Sequence, residues 1–285
     1  MRLLPSALLG LLAAACSPLR LFNGVIPKDG GVRVAVRGAP FGPDRLQRVD
    51  VYVPRRPPAP ALPIIVFFYG GSWNSGTKDG YAFVGRALAA RGFVVAIPDY
   101  RVVPQVRYPT FLQDNAAVVR WVRVHAPDFG GDPNRIVLAG HSAGAYNAAM
   151  LALDPRWLGK DRSAVRAWVG LAGPYDFLPF EGKVVRQAFA GVANPTTTQP
   201  VNFVKPGDPP AFLATGDRDK TVRPSNSDAL AARLRSVGSR VERARYASVG
   251  HVGILTAIAK PFRGRAPVFD DMIRFIRTST EGGSL

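Results

Sequence analysis

Gly140-His141-Ser142-Ala143-Gly144 sets a serine between two glycines, directly after the apolar run Ile136-Val137-Leu138-Ala139 and directly before Ala145-Tyr146-Asn147-Ala148-Ala149-Met150-Leu151. The first run reads as a strand and the second as a helix, so the serine falls on a tight strand-to-helix turn. Such a turn crowds its backbone from both sides, and residues without bulk supply the room. The helix behind it aims its positive dipole end at the place where negative charge would develop. A serine hydroxyl is a poor nucleophile, so Ser142 needs a base, and the base needs a carboxylate to orient it. The chain has three histidines. His125 ends a helix before Ala126-Pro127-Asp128 and reads as a surface or capping residue. His141 adjoins the serine, but neighbouring side chains diverge on such a bend, so it reads as packing. His251, in Ser248-Val249-Gly250-His251-Val252-Gly253, follows the last strand and satisfies the chain order serine, acid, histidine. The acid belongs on a loop between the two. Ala211-Phe212-Leu213-Ala214-Thr215 runs into Gly216-Asp217-Arg218-Asp219, which offers Asp217 and Asp219.

The elements needed to position these groups are visible in the hydrophobic pattern. Val32 to Val36 and Val49 to Val53 alternate like half-buried strands and suggest an antiparallel start. Pro54 to Pro60 reads as a stiff surface loop, because proline fixes φ and removes a donor. Ile64 to Phe68 is apolar throughout, as in a strand covered on both faces. Helix and strand then alternate: a helix over Tyr81 to Arg91, a strand over Phe93 to Ile97, a helix over Thr110 to His125, then the serine strand and its helix. Strands over Ala167 to Leu171, Ala211 to Thr215 and Val241 to Tyr246 follow, with helices over Ser225 to Val237 and Phe269 to Arg277. This predicts an α/β chain with a mostly parallel central sheet and helices on both faces.

At 285 residues and 47% hydrophobic content the chain suits one such domain with a full core. Its net charge of +17 comes mostly from arginine scattered along the chain, whereas a nucleic-acid groove would cluster its basic residues among aromatics, so no nucleic-acid partner is expected. Residues 1–15 combine one arginine, a short apolar core and small residues at the end, the pattern of a secretory signal too short to span a membrane comfortably. Cys16, the only cysteine, follows Ala13-Ala14-Ala15, which looks like a bacterial lipoprotein cleavage site and implies lipid attachment to a membrane on its periplasmic face, or a soluble periplasmic protein without the lipid. Residues 16–31 then read as a tether, and 32–285 as the single domain. With one cysteine no internal disulfide is possible. No metal-ligand cluster and no phosphate-binding motif is present in the sequence, and no cofactor is expected.

These parts resemble the α/β-hydrolase fold, and within it the bacterial carboxylesterases related to hormone-sensitive lipase and the feruloyl-esterase-like group. The resemblance covers nearly all of 32–285. It is carried by the serine turn, by Asp99-Tyr100-Arg101 after a strand, by Phe129-Gly130-Gly131-Asp132-Pro133-Asn134-Arg135 leading into the serine strand, and by Tyr69-Gly70-Gly71-Ser72-Trp73. The family's acid lies in Gly-x-x-Asp-x-x-Val, which implies Asp219, leaving Asp217 to cap its own loop. Tyr69 to Trp73 is similar to the family's His-Gly-Gly-Gly-Trp oxyanion loop and departs from it at Tyr69 and Ser72; tyrosine leaves the backbone donors intact, whereas serine narrows the allowed φ and ψ. The resemblance implies an oxyanion hole built from the Gly71, Ser72 and Ala143 amides, each such donor being worth about 3 kcal/mol of barrier in a comparable enzyme.

The implied activity is a serine carboxylesterase acting on small or medium acyl esters, with Ser142, Asp219 and His251 catalytic and little or no cap over the cleft. Trp73, Tyr175 and Phe177 are the expected substrate contacts. Asp99, Arg101, Asp114, Trp121 and Trp168 are expected to be scaffold. The same constellation serves amide chemistry of the arylformamidase kind, and a non-catalytic binding module can share the fold.

Overall fold

The computed structural model describes residues 18–281; the expected signal 1–15 and Cys16 lie outside the described residues. The strands are β1 (Val32–Pro40), β2 (Arg48–Pro54), β3 (Leu62–Phe68), β4 (Val94–Pro98), β5 (Gly131–His141), β6 (Val165–Leu171), β7 (Ala211–Gly216) and β8 (Val241–Tyr246). They form one sheet in the order β1-β2-β4-β3-β5-β6-β7-β8. β2 runs antiparallel to both its neighbours, and from β4 to β8 every pairing is parallel. Each expected strand is present. Because β3 is flanked by β4 on one side and β5 on the other, the chain winds outward in both directions from the β3–β5 pair. The carboxyl ends of strands at such a switch point leave a crevice for a ligand.

The helices are α1 (Pro18–Val25), α2 (Ala82–Ala89), α3 (Thr110–His125), α4 (Ala143–Leu153), α5 (Pro155–Leu158), α6 (Lys183–Ala188), α7 (Ser225–Ser236), α8 (His251–Thr256) and α9 (Val268–Thr280). The period of two along β3 divides the core: Ile65 and Phe67 pack with Val84 and Leu88 of α2 and with Phe269 and Phe275 of α9. Ile64, Val66 and Phe68 pack with Val118 and Val122 of α3, Ala148 of α4 and Leu230 of α7. α4 is buried along its whole length, as its apolar sequence on every side requires.

The expected tether needs correction. Pro18–Val25 is a helix docked on the domain, and residues 26–31 lead from it into β1. Phe22 meets Phe83 edge-on at 5.3 Å and stacks on Phe262 at 5.9 Å. Asn23 accepts from the Phe83 amide at 2.9 Å and donates to the Asp79 carbonyl at 2.8 Å. Asp29 takes a two-pronged ion pair from Arg263. The spacing of Leu19, Phe22 and Ile26 is helical, but it lies beside the leader-like segment and reads as a tether.

The scaffold residues fall as expected. Asp114, almost wholly buried, receives Arg101 through Nε at 2.9 Å and Nη2 at 2.6 Å, with Gln47 at 2.8 Å. Asp99, at the end of β4, accepts from the Lys78 amide at 2.7 Å and ties the sheet to the turn behind the loop after β3.

Burial, partly offset by that amide, raises the Asp99 carboxyl from 3.8 to about 6. Between those values the folded protein binds more protons than the unfolded chain, so this group's contribution to stability falls as pH rises. Asp99→Asn keeps an acceptor and removes the charge. Relative to the parent it should gain up to about 3 kcal/mol on going from about pH 4 to about pH 7, at about 1.4 kcal/mol per pKa unit. Urea unfolding at both pH values measures the difference, and parallel curves for the two proteins would contradict it.

Candidate active site

Ser142 joins β5 to α4 with φ 55° and ψ −123°, a backbone region that costs a non-glycine residue on the order of 1–3 kcal/mol. Crowding on both sides holds it there. A Cβ at Gly140 would lie 2.2 Å from the Gly144 carbonyl oxygen, and one at Gly144 would lie 2.0 Å from the Phe68 carbonyl oxygen. The glycines of Gly-x-Ser-x-Gly are therefore steric requirements of this crossing.

The three expected groups meet. His251, the first residue of α8, has Nε2 2.9 Å from Ser142 Oγ and Nδ1 2.8 Å from Asp219 Oδ2. The other carboxylate oxygen of Asp219 accepts from the Thr221 and Val222 amides at 2.8 and 2.9 Å. Burial pushes the Asp219 carboxyl up, but the His251 hydrogen bond and the two amides outweigh it and hold the group below its ordinary range. A charged acceptor at Nδ1 fixes the ring with Nε2 facing the serine. Asp217 is not the cap expected for its own loop: its carboxylate pairs with Arg245 at 2.7 Å. Asp219 itself supplies the loop's side-chain caps.

The loop after β3 is built around tyrosines. Tyr69 and Tyr100 stack at 4.5 Å, and the Tyr100 hydroxyl donates to the Tyr69 carbonyl at 2.7 Å. The Gly70 amide donates to the Tyr81 hydroxyl at 3.1 Å. Among the described residues, the Gly71, Ser72 and Ala143 amides meet no protein acceptor. Gly71 has φ 135°, and a Cβ there would fall 2.2 Å from the Ser75 carbonyl oxygen; Ser72 and Trp73 take left-handed φ values of 51° and 58°. Ser72 thus adopts the conformation a glycine would take at about 1–2 kcal/mol less strain.

A cavity of about 400 Å³ opens beside Ser142, with Ser72, Trp73, Ala143, Phe177 and Val185 on its walls. Trp73 is buried, stacks on Phe177 at 6.1 Å, and donates from Nε1 to Asn147 at 3.1 Å. Phe177 lines the cavity as expected, but Tyr175 does not. It is wholly buried, edge-on to Trp168 at 6.0 Å, and its hydroxyl occupies the space over Gly170, 1.9 Å from where a Cβ would lie. The space over Gly170 takes the Tyr175 hydroxyl inward, whereas Phe177, two residues on, lines the cleft. Asn226, which the sequence did not single out, lines the cavity and holds the Tyr175 and Asp176 amides at 2.9 and 3.0 Å; it is 51 residues from Tyr175, and no local pattern connects them.

A roomier hollow of about 660 Å³ lies at the opposite ends of β6, β7 and β8, among Lys160, Arg162, Arg166 and Arg240. It has no elbow residue, and its Arg162 is committed to buried Asp208 at 2.5 Å. Among the described residues no cluster of histidine, cysteine or carboxylate side chains suits a metal ion.

Comparison with known proteins places this geometry. The BD-FAE family profile matches residues 49–234. Esterase LipC of Mycobacterium tuberculosis is 33% identical over 236 residues, covering 74% of this chain and 58% of LipC. A probable isoprenylcysteine alpha-carbonyl methylesterase of Oryza sativa is 29% identical over 272 residues, covering 86% of this chain and 64% of its own. The chain thus spans about six-tenths of the length of these relatives. Among solved structures, esterase B of Lactobacillus rhamnosis superimposes with a TM-score of 0.81 at 19% identity, over 96% of this chain and 95% of that one. The carboxylesterase EstE1 from a metagenomic library gives 0.77 at 21% identity, over 97% and 99%. These similarities establish the α/β-hydrolase fold.

Gly144→Ala separates crowding from helix propensity. Propensity alone would make alanine stabilising by about 1 kcal/mol. The backbone approach at 2.0 Å instead predicts a loss of about 2–4 kcal/mol, measured by urea unfolding; an unchanged or raised midpoint would contradict it.

Proposed function

The chain belongs to the BD-FAE family, and from that premise we propose that it is a serine carboxylesterase hydrolysing small or medium acyl esters through an acyl-enzyme. The observation that carries the reading is the unbroken hydrogen-bond path from Asp219 through His251 to Ser142. Ser142 Oγ attacks the ester carbonyl while His251 Nε2 takes its proton, and the Asp219 carboxylate stabilises the imidazolium. The tetrahedral oxygen receives the Gly71, Ser72 and Ala143 amides. Collapse breaks the C–O bond, the alcohol leaves with the proton from His251, and water repeats the sequence on the acyl-enzyme. The names of the relatives, an esterase and a methylesterase, support ester chemistry.

Acyl size follows from the cavity. Trp73 is pinned by Asn147, Phe111, Tyr146 and Phe189, so this wall of the cavity cannot retreat without unpacking the core. Ser142→Ala should lose fluorophosphonate labelling and lower kcat on nitrophenyl acetate by about 10⁴-fold or more. Failure of the folded parent to label would remove the proposal. In a nitrophenyl ester series, turnover should fall from short to long acyl chains; faster hydrolysis of the long esters would refute the size assignment.

The reading extends to location: an exported protein, lipid-modified at Cys16 and held at the periplasmic face of a bacterial membrane. Support comes from residues 1–16 and from α1, which begins just beyond them and exposes Leu21 and Val25. Labelled palmitate should enter the parent and not Cys16→Ser, and equal incorporation would contradict the assignment.

A further inference from the structure

His141 takes no part in the proton path, yet it is buried and its ring lies 4.8 Å from that of His251. Its Nε2 is 2.8 Å from the main-chain carbonyl oxygen of His251. A carbonyl oxygen can only accept, so Nε2 carries the proton. His141 Nδ1 is buried with no hydrogen-bond partner among the described residues, and an imidazolium would need one there. The ring is therefore neutral, in the Nε2–H form. Burial first, then the nearby His251, lower its pKa to about 3, in keeping with that geometry. The other edge of the ring abuts the oxyanion loop: a Cβ on Gly70 would lie 3.0 Å from His141 Nδ1 and 2.9 Å from Ser142 Cβ.

Two hydrogen bonds join residues 140–144 to residues 248–253 among the described residues: the catalytic contact itself and this one. The catalytic contact must break and re-form as the proton moves. The other need not.

We propose that His141 is a positioning residue, donating from Nε2 to the His251 carbonyl so that the backbone of the base stays fixed to the turn carrying the nucleophile. The proposal rests on the esterase reading above. The serine turn ends β5, and the histidine begins α8, 109 residues later. The bond spans the two and leaves the His251 ring free to exchange protons. Being neutral, His141 does not oppose the positive charge His251 acquires in the transition state, as a lysine or arginine at this position would. Displacing the base by a fraction of an ångström lowers the rate of attack without altering the cavity walls that bind the acyl group.

The test compares the purified parent with His141→Phe, which keeps a flat ring without the donor, and His141→Gln, which restores an N–H at similar reach. On nitrophenyl acetate, His141→Phe should lower kcat by about tenfold or more with KM changed less than about twofold, and His141→Gln should recover most of the loss. A folded His141→Phe with kcat within about twofold of the parent would overturn the proposal, as would a folded His141→Gln that falls as far as His141→Phe. Should the variants not fold, nitrogen-15 NMR of the parent at neutral pH decides. A neutral His141 protonated at Nε2 sustains the proposal; protonation at Nδ1 or at both nitrogens refutes it. A parent that neither turns over esters nor labels with fluorophosphonate defeats the esterase reading instead, and the NMR result then reports on the hydrogen bond alone.

Discussion

The structure depends first on a steric constraint, the crossing of β5, α4 and the end of β3. Gly140 and Gly144 bring backbone to backbone where a single carbon would come within about 2 Å of a carbonyl. Nothing larger than hydrogen fits, and the chain between them is forced through φ 55° at Ser142. The same contact fixes the Phe68 carbonyl against the start of α4, so the loop after β3 emerges beside the serine and aims its amides across it. Ser142 and the amides of the loop beside it are thus placed by one close approach. The sheet makes that approach affordable: β3 is buried at every position, and apolar burial at about 25 cal/mol per Å² outweighs the local strain.

Electrostatics then assign the roles. Asp219 and Asp99 are both carboxylates on loops that follow strands, yet their environments drive them apart. Asp219 gathers the His251 ring and two amides, and these prevail over burial, whereas Asp99 has one amide and burial prevails. A carboxylate that stays charged can orient and stabilise an imidazolium. One that takes up a proton readily serves better as a structural tie. At Asp219 the donors outweigh desolvation, and at Asp99 desolvation together with the neighbouring Asp79 and Asp50 outweighs the donor.

The parts legible in the sequence were those set by local chemistry. Alternating and continuous apolar runs marked the strands, the paired glycines marked the serine turn, and the small number of histidines singled out His251. The resemblance to known esterases chose Asp219 over Asp217, and Asp219 is the carboxylate that meets the ring. What escaped were relations between distant segments. Tyr175 and Phe177 are both aromatic residues on one loop, and only the packing of Gly170 against the Tyr175 hydroxyl turns one of them inward. His141 read as packing because its partner is a main-chain atom, and main-chain acceptors leave no trace in residue types. α1 read as a tether because its apolar residues adjoin an apolar leader-like segment, so the contrast that normally marks a helix face was absent.

The large positive charge acquires a structural meaning from where the arginines lie. Arg263 stands 4.1 Å over the Phe269 ring while pairing with Asp29, and Arg91 stands 4.7 Å over the same ring. Arg265 covers Phe262 at 4.3 Å. Guanidinium planes on aromatic faces act as packing as much as charge, so arginine joins the N-terminal segment to α9 where an aliphatic side chain would leave Asp29 unpaired. Among the residues lining the cavity beside Ser142 the formal charges cancel, with Lys220 and Arg223 against Asp176 and Glu181. Charges farther away than a Debye length of about 8 Å are screened at physiological salt. What distinguishes this cavity is its shape, through a tryptophan wall whose position is fixed by the rings around it.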